Sequence, residues 1–146
     1  PKSILDISKT YEFLETLSIP LFSYRQKNLP AFWYRDTGLQ STLRIESPEA
    51  IAKIFSIARS IDSSKGLLLC NPIQKKYSLD ELYLEPLISQ GINELKKANI
   101  TGKKLTPSLL SYLVKKTNGK TLLSNIELVK NNALLGAKVA KALNIA

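Results

Sequence analysis

With 146 residues, 44% hydrophobic and 23% charged, the chain is sized for a single domain with a substantial core. It holds no histidine, which excludes His general bases, Ser–His and Cys–His nucleophile pairs and nearly every zinc site. Its 21 Lys and Arg against 12 Asp and Glu give a net charge of +9, favouring anionic partners such as phosphorylated small molecules, nucleic acid or anionic lipid.

Residues 6–17 read as an amphipathic helix, because Ile7, Tyr11, Leu14 and Leu17 recur at spacings of four and three. Ser18 breaks it, and 19–24 reads as a short strand. The polar run 25–30 makes a turn, 31–34 is too short to classify by period, and Asp36-Thr37-Gly38 makes a second turn. Residues 42–45 alternate like an exposed strand. Ser47-Pro48 opens a helix to about residue 61: serine accepts a backbone N–H at the cap, and proline in the first turn gives up nothing. Ile51, Ile54, Phe55 and Ala58 share one face of it. Residues 66–70 are continuously apolar, as in a strand buried on both faces, and Asn71-Pro72 ends the run. Ser78-Leu79-Asp80-Glu81 fits the S-x-x-E capping box and announces a helix to about residue 98, which Pro86 and Gly91 are expected to kink or interrupt. Thr106-Pro107 repeats the cap-then-proline pattern, opening a helix to about residue 116 that Asn118-Gly119 terminates. Residues 121–143 read as a long final helix covering the sheet.

Strands alternating with helices predict an α/β class. The expected architecture is one partial α/β/α layered domain over residues 1–146, with a mixed, partly parallel sheet covered by helices. Few strands against that much helix predict further strands N-terminal to this chain. The opening Pro1 and the absence of methionine fit a fragment or a processed product. No apolar run reaches about 18 residues and no signal-peptide core is visible, so the expectation is an intracellular, cytoplasmic protein with no membrane partner. The single cysteine, Cys70, reads as a small buried hydrophobe in a reducing compartment. Lysines come in pairs (Lys75-Lys76, Lys96-Lys97, Lys103-Lys104, Lys115-Lys116) rather than in runs, and no helix-turn-helix, zinc or RRM signature accompanies them. A nucleic-acid-binding domain therefore stands only as an alternative, beside an inactive truncated remnant.

Five stretches carry a resemblance when taken in order. They are Lys2-Ser3-Ile4-Leu5-Asp6-Ile7 continuing through 11–16; Leu29-Pro30-Ala31-Phe32 with Arg35 and Gly38; Asn71-Pro72-Ile73; Thr101-Gly102-Lys103 with Thr106-Pro107 and Leu109-Leu110; and 125–133, beginning Asn125-Ile126-Glu127-Leu128. Together they resemble the pseudouridine-5′-phosphate glycosidase family, also called indigoidine synthase A-like. They cover nearly the whole chain, which looks like the C-terminal portion of a longer family pattern. Gln74, and Arg25-Gln26-Lys27-Asn28 ahead of the second stretch, depart from that pattern.

The resemblance implies an enzyme that reversibly breaks the carbon–carbon bond between uracil and ribose 5-phosphate in pseudouridine 5′-phosphate. It implies that Lys2 is the nucleophile, attacking C1′ of the ring-opened ribose and forming an imine as uracil leaves. An ordinary lysine, with a pKa of about 10.4, is neutral in only about one molecule in 2,500 at pH 7. A helix N-terminus and burial would both lower it, and a fall to about 7 would leave half of it reactive. The resemblance makes Asn125 a substrate-binding residue, whose carboxamide suits the uracil edge by offering both donor and acceptor. Asn132, seven residues on, shares its helix face and reads as support. Arg35 and Lys103 are candidate aids to phosphate binding, and Phe32 and Trp33 read as packing or, alternatively, as strand-end aromatics lining the uracil pocket. No metal ligand is expected within the chain. The divalent metal, expected to be Mn2+, its aspartate, the proton-donating glutamate and the main phosphate contacts are all expected N-terminal to it. The isolated chain is expected to be inactive, and the assembly to be a homotrimer.

Overall fold

Two short hydrophobic strands, Leu21–Tyr24 (β1) and Leu68–Cys70 (β3), pair in parallel, and Leu43–Ile45 (β2) pairs in parallel along the other side of β1. The computed structural model describes residues 7–41, 43–61 and 66–144, so Lys2 and Asp6 lie outside the described residues. The sheet order is β2-β1-β3, with Phe22 opposite both Leu43 and Leu69. One isolated antiparallel bridge, Asn28 to Gln40, closes the long loop between β1 and β2. Five helices accompany the sheet among the described residues: Ile7–Thr16 (α1), Pro48–Ser60 (α2), Glu81–Lys97 (α3), Leu105–Lys116 (α4) and Lys120–Leu143 (α5).

The period-two geometry of a strand sends alternate side chains to opposite faces. Leu21 and Cys70 meet Tyr11 and Leu14 of α1 on one face. Phe22, Ile45 and Leu69 meet Ile51 and Ile54 of α2 and Val139 of α5 on the other. Helix, sheet and helix thus form the expected α/β/α layers. A third cluster joins Ala31, Trp33 and Tyr34 of the β1–β2 loop to Leu84 and Ile88 of α3 and Leu109 and Leu113 of α4. β3 has helices on both sides, yet Leu68 and Leu69 are only half-buried, because it is an edge strand among the described residues.

Local signals explain several boundaries. Ser47 accepts the Ala50 N–H at 3.2 Å, capping α2 as its sequence predicts. Asn118 and Gly119, both at positive φ (49° and 80°), turn the chain between α4 and α5. Three expectations need correction. The cap of α3 is Asp80, not Ser78: its carboxylate accepts the Leu82 N–H at 2.7 Å, while Ser78 stays extended behind the 3-10 turn Lys75–Tyr77. Thr106 lies inside α4 and caps nothing, since the 3-10 turn Gly102–Lys104 runs directly into Leu105. Pro86 does not break α3. The helix runs through it because Leu84 and Ile88, on either side, are both buried, and this packing offsets the roughly 3 kcal/mol that an interior proline costs. Gly91 serves a close helix crossing rather than an interruption: a Cβ there would stand 2.6 Å from Leu109 Cδ1 and 2.7 Å from Tyr112 Cδ1. No helix among the described residues is long and apolar enough to cross a membrane.

Candidate functional site

A cavity of about 960 Å³ opens between β3, the 30–32 segment and the C-terminal half of α5. Ligands of parallel α/β sheets bind outside the carboxyl ends of the strands. Asn71, which directly follows the last residue of β3, lines this cavity together with Phe32, Thr106 and Asn132, and Leu128, Leu135 and Val139 give it an apolar wall.

The wall is held by contacts distant in sequence. The Asn71 Nδ2–H donates to Asn132 Oδ1 at 3.0 Å, and the Asn131 Nδ2–H donates to the Pro72 carbonyl at 3.2 Å, so two neighbouring asparagines of α5 clasp the segment after β3. The Arg35 guanidinium donates to the Ile73 carbonyl just beyond. On the opposite wall Phe32 meets Trp33 edge to face, with ring centroids 4.8 Å apart at 71°. Trp33 is itself pinned by its indole N–H, which donates to the Thr121 carbonyl of α5 at 3.3 Å. The loop carrying these rings is tied internally: Asn28 donates to Asp36 at 2.9 Å, and the Asp36 carboxylate accepts the Gly38 N–H at 2.8 Å, where φ is +73°.

The titratable groups here are muted. Cys70 lines the cavity, but burial pushes its thiol pKa up, so it stays protonated at neutral pH and is a poor nucleophile. Tyr34 is buried behind the loop and donates to Glu85 at 3.0 Å; burial first, and the Glu85 charge second, raise its pKa far above the phenol value. Among the described residues no group of three Asp, Glu or Cys side chains stands close enough together to hold a metal ion.

Residues 1–142 match the family described as indigoidine synthase A like protein. The chain belongs to that family. Curated relatives include the pseudouridine-5′-phosphate glycosidases of Staphylococcus aureus (strain MW2), 43% identical over 98% of this chain, and of Petrotoga mobilis, 44% identical over 99%. Each alignment takes in 47% of the relative, so the chain spans about half the length of the curated relatives it matches. A crystal structure of an indigoidine synthase A-like protein from Thermotoga maritima superimposes with a TM-score of 0.84 at 36% identity, over 99% of this chain and 47% of that one. The prealnumycin C-glycosynthase, solved with ribulose 5-phosphate, does so with a TM-score of 0.85 at 26% identity, over 97% and 47%.

Within this indigoidine synthase A-like chain, the residues singled out from sequence fall unevenly around the cavity. The nucleophile candidate Lys2 lies outside the described residues. Asn125 sits half-buried on α5, about 10 Å up the helix axis from Asn132 on the same edge, and its side chain makes no hydrogen bond among the described residues. It does not line the cavity. Beside it, the buried Ser124 hydroxyl also lacks a partner among the described residues. Arg35 donates from its guanidinium to the Ile73 carbonyl and, at 3.5 Å, to Gln26 Oε1. Lys103 is exposed in the turn before α4. The residues that sequence reasoning set aside as structural, Asn71 and Asn132, are the ones brought together at the cavity. Their only prior signal was polar carboxamides inside otherwise apolar motifs.

Proposed function

We propose that this chain is the nucleophile-bearing C-terminal half of a pseudouridine-5′-phosphate glycosidase, which cleaves its substrate reversibly to uracil and ribose 5-phosphate. The observation that carries the reading is 43–44% identity across almost the whole chain to curated relatives of that name. The apolar cavity with carboxamides at one side supports it, because such a space suits a flat, uncharged base.

In this reading the ribose opens as C1′–O4′ breaks, O4′ taking up a proton and C1′ becoming doubly bonded to the base carbon. Neutral Lys2 Nζ then adds to C1′, the π pair returns to the base, and the new ammonium loses a proton. The C1′–uracil bond then breaks as the nitrogen lone pair closes the C=N bond. The electron pair released goes to the uracil carbon, which takes up a proton. Water adds to the imine and returns ribose 5-phosphate and free Lys2. Asn125 contacts the substrate through its unspent carboxamide. The proton donor, the main phosphate contacts and the ligands of a divalent metal, Mn2+, come from outside these residues, inside the cell and within a homotrimer.

The chain alone is therefore incomplete, and the segment corresponding to the other half of the relatives' length completes the site. Leu122, Leu123, Ile126, Val129 and Leu134 leave the outer side of α5 apolar and exposed, as a surface that such a segment would cover. The test is reductive trapping: incubation with ribose 5-phosphate, borohydride reduction and mass-spectrometric mapping, with free ribose and Lys2→Arg as controls. An adduct concentrated on Lys2 supports the reading, in the chain alone or after addition of the N-terminal half of the Petrotoga mobilis relative. Labelling no greater than in Lys2→Arg under both conditions overturns it.

A further inference from the structure

We propose that the free edge of β3 seats a further β-strand, contributed by the segment that corresponds to the other half of the relatives' length, and that this strand fills the cavity alongside Leu68–Cys70. The inference rests on the glycosidase reading and names the surface through which its two halves join.

Successive residues of a strand turn their backbone N–H and C=O groups to opposite edges. Leu68 turns its pair toward β1, because its N–H donates to the Pro20 carbonyl at 3.0 Å. Cys70, two residues on and in register with Ser23, faces the same way. Leu69 between them therefore turns its N–H and C=O to the other edge. Among the described residues no strand pairs with that edge. The cavity of about 960 Å³ lies along it: Leu68, Leu69 and Cys70 all line it, and a space touched by three consecutive strand residues lies at an edge, since their side chains alternate between faces. Phe32, Leu128, Leu135 and Val139 wall the space, so backbone groups turned into it need a partner once it is covered. A strand at the usual spacing of about 4.8 Å supplies one acceptor and one donor for Leu69.

The slot is already layered. Leu68 and Cys70 share a cluster with Tyr11 and Leu14 of α1 on one face, and Leu69 shares one with Val139 of α5 on the other. A strand entering here is covered on both faces at once, the condition of strands in parallel α/β sheets, so it is expected to be apolar on both. No charged side chain lines the cavity, which fits such an occupant along its length. Each alignment with the curated relatives takes in 47% of the relative, so more than half of that length is left to supply the strand. The end of the cavity at Asn71, past the carboxyl end of β3, stays open to substrate.

The test follows single-amide hydrogen exchange by 15N NMR, in the chain alone and in the chain refolded together with the N-terminal half of the Petrotoga mobilis relative. In the chain alone the Leu69 N–H is expected to exchange about a hundredfold faster than those of Leu68 and Cys70, and with the half present to slow to match them. Leu69→Pro removes the outward N–H, which an edge strand tolerates, and is expected to yield about tenfold less complex than Leu69→Ala, which keeps it. Protection of Leu69 in the chain alone overturns the assignment, whether it comes from the chain's own residues or, with a dependence on concentration, from a second copy. So does a complex in which the Leu69 N–H still exchanges freely, the absence of any complex, or equal yields from Leu69→Pro and Leu69→Ala. Exchange is read without turnover, so the two readings fail separately. Leu69 protection without a ribose 5-phosphate adduct on Lys2 sinks the lysine mechanism, whereas an adduct with Leu69 still open sinks the strand.

Discussion

Gly91→Ala puts the α3–α4 crossing under a direct test, and Gly136→Ala supplies the opposite case. At Gly91 the new Cβ would lie 2.6 Å from Leu109 Cδ1 and 2.7 Å from Tyr112 Cδ1. Ordinary carbon contacts are about 3.5–4.0 Å, so the helices or side chains must give by about 1 Å. Leu109 is 1% exposed and has nowhere to go, and the Tyr112 hydroxyl is engaged with Glu94 at 3.2 Å. Overpacking of this kind costs about 1–3 kcal/mol, and the better helix propensity of alanine returns about 0.8–1 kcal/mol. The net loss is about 0–2 kcal/mol. For 146 residues the unfolding entropy is about 0.3 kcal/mol/K, so Tm should fall by up to about 7 °C. Gly136, in the middle of α5, has no atom within 4 Å of the place a Cβ would take, so only the propensity acts and Tm should rise by about 3 °C. Thermal unfolding followed by circular dichroism at 222 nm measures both. If Gly91→Ala is as stable as Gly136→Ala, the close crossing of α3 and α4 is wrong, and with it the position of the core behind Ala31 and Trp33.

Two further outcomes follow from the site. Because burial raises the Cys70 pKa, iodoacetamide labelling of the folded chain should reach half its maximal rate above the ordinary thiol pKa of about 8.5, and urea should return the profile to that value; a folded-state midpoint at or below it refutes the burial. Asn125→Ala removes a side chain with no partner among the described residues, so the chain should keep its stability or gain about 0.5 kcal/mol in urea unfolding, while turnover by the completed enzyme falls at least tenfold. A loss of more than about 1 kcal/mol in the chain would mark Asn125 as structural instead.

Legibility in the sequence followed the distance over which each feature is determined. The Ser47-Pro48 cap and the Asn118-Gly119 turn were readable because every interacting atom lies within a few residues. The start of α3 was misread where two local solutions compete: Ser78 fits a capping box, but Asp80 has the stronger acceptor and the chain folds a 3-10 turn ahead of it. Pro86 was overruled by tertiary packing, which no helix-propensity argument contains. The site was harder still. Lys2 and Asn125 were reachable only through motif resemblance. The Asn71–Asn132 pair joins residues 61 apart, and no periodicity or composition announces such a meeting. Arg35 likewise has a partner that sequence reasoning did not announce, a backbone carbonyl 38 positions away.

The long helix α5 explains why its asparagines matter. One line of it, Thr121, Ser124, Leu128 and Leu135, is buried against the rest of the chain. A second line is apolar yet open, with Leu122 48%, Leu123 53% and Val129 60% exposed. A helix that is apolar on two sides is built to be covered on both. Asn125 and Asn132 fall on the seam between the two lines, where they are now reached by solvent. In the proposed reading a second body of protein closes over the outer line; the seam then loses its water, and each carboxamide group left there must find a partner. Asn132 already has Asn71 for one of its groups. Asn125 has none among the described residues, so in the closed protein its partner must come from the arriving segment or from the substrate. Only the second of these ties Asn125→Ala to turnover without disturbing assembly.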